Sequence, residues 1–191
     1  MKTLDKQEKL IIRELIKDPR ISDNQVGKIT KVPIMTVNRK RKLLEKEGLL
    51  NYYCYLDTSR YGISVLPARQ LYMVKFKIGI TKKEFINKMM KDPFSKTFGT
   101  THIYESYVGE KDGQLVWVLV IEGGKGQEIV EIFNGNIVNL LKQHFGDDCI
   151  TETFAIRLTT QLQLLHNYLP LLNSEDGKIK KAWPDEYIFI D

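Results

Sequence analysis

Ile34-Met35-Thr36-Val37-Asn38-Arg39-Lys40-Arg41-Lys42-Leu43-Leu44-Glu45-Lys46-Glu47-Gly48 is the stretch that decides how this chain is read. At about 100° per residue, Val37 and Leu44 fall on nearly the same side of a helix and face a core. Met35, Asn38, Arg39, Lys42 and Lys46 project from the opposite side, with Thr36 beside them in the first turn. Gly48 suits the left-handed position that ends many helices. Such an outward face matches a DNA major groove. Arg39 and Lys42 donate to guanine edges, Asn38 pairs with adenine, and Met35 touches a thymine methyl. Lys28, Lys31 and Lys40 are placed for phosphates, which give affinity without sequence information. The competing reading is a charged helix face that is merely solvated.

The residues before this helix strengthen the DNA reading. Asp5 with Glu8, and Ser22 with Gln25, each have the spacing of an N-cap and its reciprocal partner. The first opens a helix with Ile11, Ile12, Leu15 and Ile16 on its apolar stripe, closed by Asp18-Pro19. The second opens a short helix with Val26 and Ile29 inward. After a break at Lys31-Val32-Pro33 the basic helix begins. Leu49–Leu56 then changes to strand grammar, rich in β-formers. Three short helices followed by a ribbon form the plan of a winged helix-turn-helix. Tyr52, Tyr53 and Tyr55 on that ribbon read as core or interface rather than as backbone-stacking groups.

Further on, Asp57–Gly62 is turn-like and Leu71–Ile78 alternates as a half-buried strand. A helix over Lys82–Met90, a strand over Ile103–Val108, a hairpin turn at Gly109–Gly113 and a strand over Leu115–Glu122 follow. A helix from about Gln127 to Phe145 and a strand over Ile150–Leu158 complete a β-α-β-β-α-β order. The fold class expected is α+β, a winged helix-turn-helix followed by a ferredoxin-like domain. The expected division is 1–56 for DNA binding, 57–70 as linker, 71–165 for ligand binding and oligomerisation, and 166–191 as a C-terminal extension. Leu164–Leu172 reads as helix or extended tail. Trp183 and Tyr187-Ile188-Phe189-Ile190 are too apolar to hang free and are expected to dock.

Composition agrees with this plan. The 191 residues are 42% apolar and 28% charged, the balance of a folded domain rather than a disordered chain. The net charge of +5 is unevenly placed: residues 1–50 hold 13 Lys/Arg against 7 Asp/Glu, the remainder 16 against 17. All the excess positive charge therefore lies in the first quarter, as expected of a nucleic-acid-binding module joined to a neutral partner. No apolar run approaches membrane-spanning length and no signal-peptide stretch opens the chain, so a cytoplasmic location is expected. Cys54 and Cys149 read as buried, reduced thiols. His102, His144 and His166 lack metal-ligand spacing, and no cofactor motif or catalytic constellation stands out.

Several segments resemble the Lrp/AsnC family of feast/famine regulators: Leu4-Asp5, Arg20-Ile21-Ser22, Thr36-Val37-Asn38-Arg39, Leu44–Leu50, and Leu56-Asp57 with Tyr61-Gly62. Glu105 and Tyr107 before Gly109-Glu110-Lys111-Asp112 resemble the family's turn between two sheet strands. The similarity runs over about residues 3–165 and is most specific in the first 62. It implies a homodimer or larger assembly packed sheet to sheet, and a small-molecule effector such as an amino acid bound near Gly109, Glu110, Lys111 and Asp112. It implies regulation of transcription at double-stranded DNA. Three positions depart from the pattern. Pro33 stands where the family has a Ser cap, Lys31 replaces a turn glycine, and Arg41 falls on the core side, where it must snorkel or find a partner. The chain also runs past the family's usual end. An enzyme of the same plan, the siroheme decarboxylases, offers an alternative through His102-Ile103-Tyr104 and Trp117, and a DNA-compacting architectural protein offers another.

Overall fold

A computed structural model describes residues 3–54, 68–123 and 129–190. Two compact units divide the chain: Met1–Tyr55 together with Gln161–Asp191, and Leu56–Thr160.

The first unit begins with α1 (Lys6–Lys17), α2 (Asp23–Thr30) and α3 (Ile34–Lys46). Both expected capping boxes form: Asp5 and Glu8 exchange bonds of 2.9 Å, and Ser22 and Gln25 do the same at 3.2 Å. Ile11, Leu15, Val26, Val32 and Val37 make the small core, with Ile21 and Leu50 against it. Ile29, expected inward, is exposed. Gly27, on nearly the opposite side of α2, is buried instead, and a Cβ there would stand 3.0 Å from the Val32 carbonyl and 3.2 Å from Ile34. Lys31 adopts φ 60°, the left-handed conformation that a turn glycine would take without cost. Residues 49–54 hold no strand, so the expected ribbon is not formed there; Tyr55 and Leu56 lie outside the described residues. Cys54 is exposed, contrary to expectation, and Cys149 is buried.

Lys40 departs furthest from its expected place. It sits three residues after Val37 and four before Leu44, so helical geometry puts it on the buried side rather than the outward one. It is 8% exposed. Its ammonium bonds to the Asp5 carboxylate and lies 4.0 Å from Glu8, so it is tied to the capped end of α1 and is not available to phosphates.

The remainder of the first unit is the C-terminal segment. It is neither helix nor free tail: turns lead to a two-residue hairpin, β5 (Ser174–Glu175) with β6 (Lys178–Ile179), then a 3-10 turn at Asp185–Tyr187. Asp176 and Gly177 turn this hairpin with φ 50° and 74°. Asn173, almost wholly buried, accepts from Leu169 N at 2.9 Å and donates to Asn167 O at 3.0 Å. Asn167 in turn bonds both the N–H and the carbonyl of Phe189, at 2.7 and 2.9 Å.

The second unit is a four-stranded antiparallel sheet ordered β2-β3-β1-β4, the ferredoxin-like order. Its strands are β1 (Ala68–Phe76), β2 (Ile103–Lys111), β3 (Gln114–Gly123) and β4 (Ile150–Leu158). Tyr72, Val74 and Phe76 alternate inward from β1, and Trp117, Leu119 and Ile121 from β3, to meet the helices in one core. Helix α4 (Lys82–Lys91) contributes Phe85, which lies 5.3 Å from Phe76 and 5.4 Å from Trp117. Helix α5 (Pro93–His102) was not anticipated, although Asp92-Pro93 carries its signal: Asp92 caps Ser95 N and Pro93 takes the first turn.

The last helical stretch is α6 (Ile129–Ile132), a π-helical segment (Phe133–Val138) and α7 (Asn139–Phe145), where an uninterrupted helix was expected. The sequence contains the reason. Ile129, Phe133, Ile137, Leu141 and Phe145 recur every four residues, and in a pure α-helix each step would drift about 40° around the axis. The wider π turn absorbs that drift, and all five are buried.

The other sheet face has an apolar middle between charged ends, Arg69 with Glu122 and Lys75 with Glu152, and its Val116 and Val120 are buried. Tyr107, Val118, Met73 and Phe154 form one rung across all four strands, and Val120, Leu71 and Ile156 form another. Phe154, Ile156 and Leu158 are exposed on β4.

The Lys40 tie generates a test by acid. The hydrogen bond from Lys40, with the Glu8 N–H, holds the Asp5 carboxyl below the usual carboxylate range. A lowered folded value stabilises the fold above the ordinary pKa near 4, and that contribution is lost as pH falls through the lowered value. Lys40→Ala is expected to lower the thermal midpoint at pH 7 by several degrees and to flatten this acid limb. Midpoints measured from pH 7 to pH 2 check it, and an unchanged limb contradicts the tie.

Candidate nucleic-acid interface

Helix α3 is presented by burial of its opposite side. Val37 and Leu44 are fully buried, which turns Met35, Arg39, Lys42 and Lys46 outward. These four recur at steps of four, three and four, and so form one stripe roughly 16 Å long. Met35 is 81% exposed, and Arg39, Lys42 and Lys46 are exposed as well. Among the described residues none of the three cations enters an ion pair. Lys28 and Lys31, also exposed, lie on α2 and at its C-cap.

Two neighbouring side chains are held by the fold. Asn38, expected to read adenine, donates from Nδ2 to Asp23 Oδ2 at 2.8 Å and is half-buried. Arg41 finds the partners its core-side position requires. It reaches Asp23 and Glu45 at 3.1 Å and the Tyr52 hydroxyl at 2.9 Å, with its guanidinium 5.3 Å from the Tyr52 ring. Asp23 thus receives both Asn38 and Arg41, and fixes α3 against the start of α2. Thr36 is half-buried, and with Lys40 out of reach the outward set narrows to the stripe and the two lysines of the turn. Asp23 was the residue that sequence reasoning missed; its position one residue after the Ser22 cap was the available signal. Pro33 provides no side-chain cap, as its chemistry requires, and the Thr36 and Val37 N–H groups bond its carbonyl.

The hairpin expected to bind an effector turns at Asp112 and Gly113, with φ 52° and 74°. Its charges are tied back to the sheet: Lys75 to Asp112 at 2.8 Å and Lys111 to Glu152 at 2.7 Å. Glu110 and Gly109 are exposed. A Cβ at Gly109 would meet only Val116, at an ordinary 3.5 Å, so packing within the chain does not demand glycine there. The His102, Tyr104 and Trp117 set does not assemble into a site. Trp117 is spent in the core, His102 lies against Phe98 at 4.9 Å, and Arg69 covers the Tyr104 ring at 3.9 Å.

Residues 4–51 match the family described as winged helix-turn-helix DNA-binding. No curated protein matches the chain by sequence. Solved structures do match by fold. A transcriptional regulator from Neisseria meningitidis in complex with L-Met superposes with a TM-score of 0.62 at 15% identity, covering 89% of this chain and 98% of that one. B. subtilis LrpC gives 0.58 at 18% identity, covering 85% and 99%. E. coli AsnC gives 0.59 at 12% identity, covering 86% and 97%. Among the described residues no helix is long and apolar enough to cross a membrane. With 85–89% of its residues covered in these structures, this chain has the fold of the Lrp/AsnC transcriptional regulators, and its N-terminal end carries the winged helix-turn-helix match.

Proposed function

We propose that this chain is a sequence-specific transcriptional regulator that acts on double-stranded DNA in the cytoplasm and answers to a small-molecule effector, without enzymatic activity. The observation that carries the reading is the outward stripe Met35, Arg39, Lys42 and Lys46, uncompensated by local carboxylates and opposite a fully buried side. Arg39 and Lys42 read base edges, Met35 contacts a thymine methyl, and Lys28 and Lys31 hold phosphates. Asn38 and Thr36 serve by positioning the helix, and reading adenine would require Asn38 to release Asp23. Residues 1–56 are the DNA-binding part, and the sheet unit, expected over 71–165 and running from Ala68 to Leu158 in its strands, is the ligand-binding and assembly part. The open face carrying Phe154 and Ile156 supports a homodimer packed sheet on sheet, since an exposed apolar patch of this kind marks an interaction surface. The effector is an amino acid bound at the Gly109–Asp112 hairpin; the L-Met held by the similar Neisseria regulator supports that class.

Selection of bound genomic fragments tests the central claim and yields the operator. On that operator Arg39→Ala is expected to cost about 1–3 kcal/mol, with little loss on random duplex. Lys31→Gly is expected to separate charge from conformation. It relieves the left-handed backbone and raises stability by roughly 1 kcal/mol. It also weakens all duplexes alike and lowers the salt slope by about one. Equal losses on operator and random DNA for Arg39→Ala would remove the base-reading assignment. Phe154→Glu with Ile156→Lys is expected to yield a folded monomer in sedimentation; an unchanged oligomer would place assembly elsewhere. Gly109→Ala is expected to leave the thermal midpoint unchanged and to abolish the shift that L-methionine, or whichever amino acid proves active, produces in the parent protein.

A further inference from the structure

Helix α1 shows no wet face. From Glu8 to Pro19 every residue is buried or half-buried, whereas a helix at the edge of a small bundle keeps one polar side exposed. One side of α1 is taken by the three-helix core through Ile11 and Leu15. The C-terminal segment takes the other. The Tyr168 hydroxyl donates to the Ile16 carbonyl at 2.8 Å, in the last turn of α1 where carbonyls lack helical partners. Asp185 receives Lys17 at 2.6 Å, and Arg13 lies 3.8 Å from it. Lys178 reaches Asp18 at 2.6 Å. Ile179 on β6, which lies against α1, and Ile188 are buried. Exposed ion pairs of this kind contribute little alone, so apolar burial and the Tyr168 bond hold the segment while the charges set its register.

Chain order gives this contact its meaning. The sheet unit, Leu56–Thr160, lies in sequence between the two parts of the first unit. Its first and last strands are hydrogen-bonded neighbours, and Arg69 pairs with Leu158 in their ladder. The chain therefore enters and leaves the sheet unit side by side, as in a domain inserted into another. We propose that the C-terminal segment is a strap: it docks in cis on α1 and returns the outgoing end of the sheet unit to the helix-turn-helix, so that the sheet unit is an insertion held at both ends. The strap covers the side of α1 remote from its core contacts, and it gives β4 a covalent line to the helical unit separate from residues 56–67. This assignment holds whether or not the helical unit reads DNA, and its test uses no DNA.

Asp18→Cys with Lys178→Cys, in a full-length chain with the exposed Cys54 changed to Ser and the buried Cys149 kept, is treated with a short bismaleimide. The expected product is an internal cross-link at the mass of one chain. A cross-link between two chains, or two singly labelled cysteines with no cross-link, would overturn docking in cis. In a second full-length protein, a protease site is placed between Leu158 and Gln161. Cleavage followed by dilution turns an intramolecular contact into a bimolecular one. Hydrogen exchange at the Ile12, Arg13, Ile16 and Lys17 amides is then expected to accelerate by about tenfold or more, with Val74 and Leu119 unchanged. Exchange in α1 that ignores the cut would show that the segment holds nothing.

Discussion

Burial of one side of α3 is the constraint on which the first unit depends. Val37 and Leu44 bring apolar surface out of water, and Lys40 between them carries a charge that cannot stay buried without compensation. Asp5 supplies that compensation while it caps α1, so one carboxylate fixes the start of the first helix and the rotation of the third. Asp23 does the equivalent work at α2 through Asn38 and Arg41. With α3 locked against rotation from two directions, its backbone presents the outward stripe in one orientation. Pre-ordering of this kind lowers the entropic cost of binding.

The sheet unit obeys a different constraint. Its inward face is satisfied by the helices, and aromatic contacts among Phe76, Phe85, Phe145 and Trp117 fill the space between. Its outward face keeps Phe154, Ile156 and Leu158 exposed along β4. The apolar rungs through Met73 and Leu71 run across strands that would ordinarily alternate with polar residues on a wetted side. One face stabilises the unit alone, and the other carries the exposed Phe154, Ile156 and Leu158 on which the proposed homodimer rests.

Local signals were legible in the sequence wherever they were short and chemical. Asp5/Glu8, Ser22/Gln25 and the alternation over Leu71–Ile78 led to the elements observed, whereas the turn expected over Gly109–Gly113 is only Asp112 and Gly113, because Gly109–Lys111 continue β2. Periodicity also revealed the α3 stripe, but the same periodicity should have placed Lys40 inside, since it shares a side with Val37 and Leu44. Its charge points to the surface and its helical position points inward, and position prevails because Asp5 compensates the charge. Ile29 is a second case: spacing offers it to the core beside Val26, but the buried neighbour of Val26 is Gly27, which packs against the Val32 carbonyl and Ile34, and Ile29 faces out. The C-terminal segment was hardest to read. Its structure rests on Asn167 and Asn173 bonding backbone across turns, and such contacts leave no repeating pattern. Its docking on α1 depends on residues more than a hundred positions away, which no local window contains.

That separation bears on how the protein is made. The Tyr168 hydroxyl and the Ile16 carbonyl it caps are 152 residues apart in the chain. During synthesis at about 5–20 residues per second, the helices emerge first and can begin to pair while the sheet unit is still being translated. Their outer covering arrives only after the sheet unit, with residues beyond Gln161. Contacts of such long range slow folding, because the loop they close must be ordered before they repay it. A nascent chain that has not reached Tyr168 therefore leaves the Ile16 carbonyl and the charges of Arg13, Lys17 and Asp18 without the partners that the finished fold gives them, and the helical unit is completed only after the sheet unit has been made.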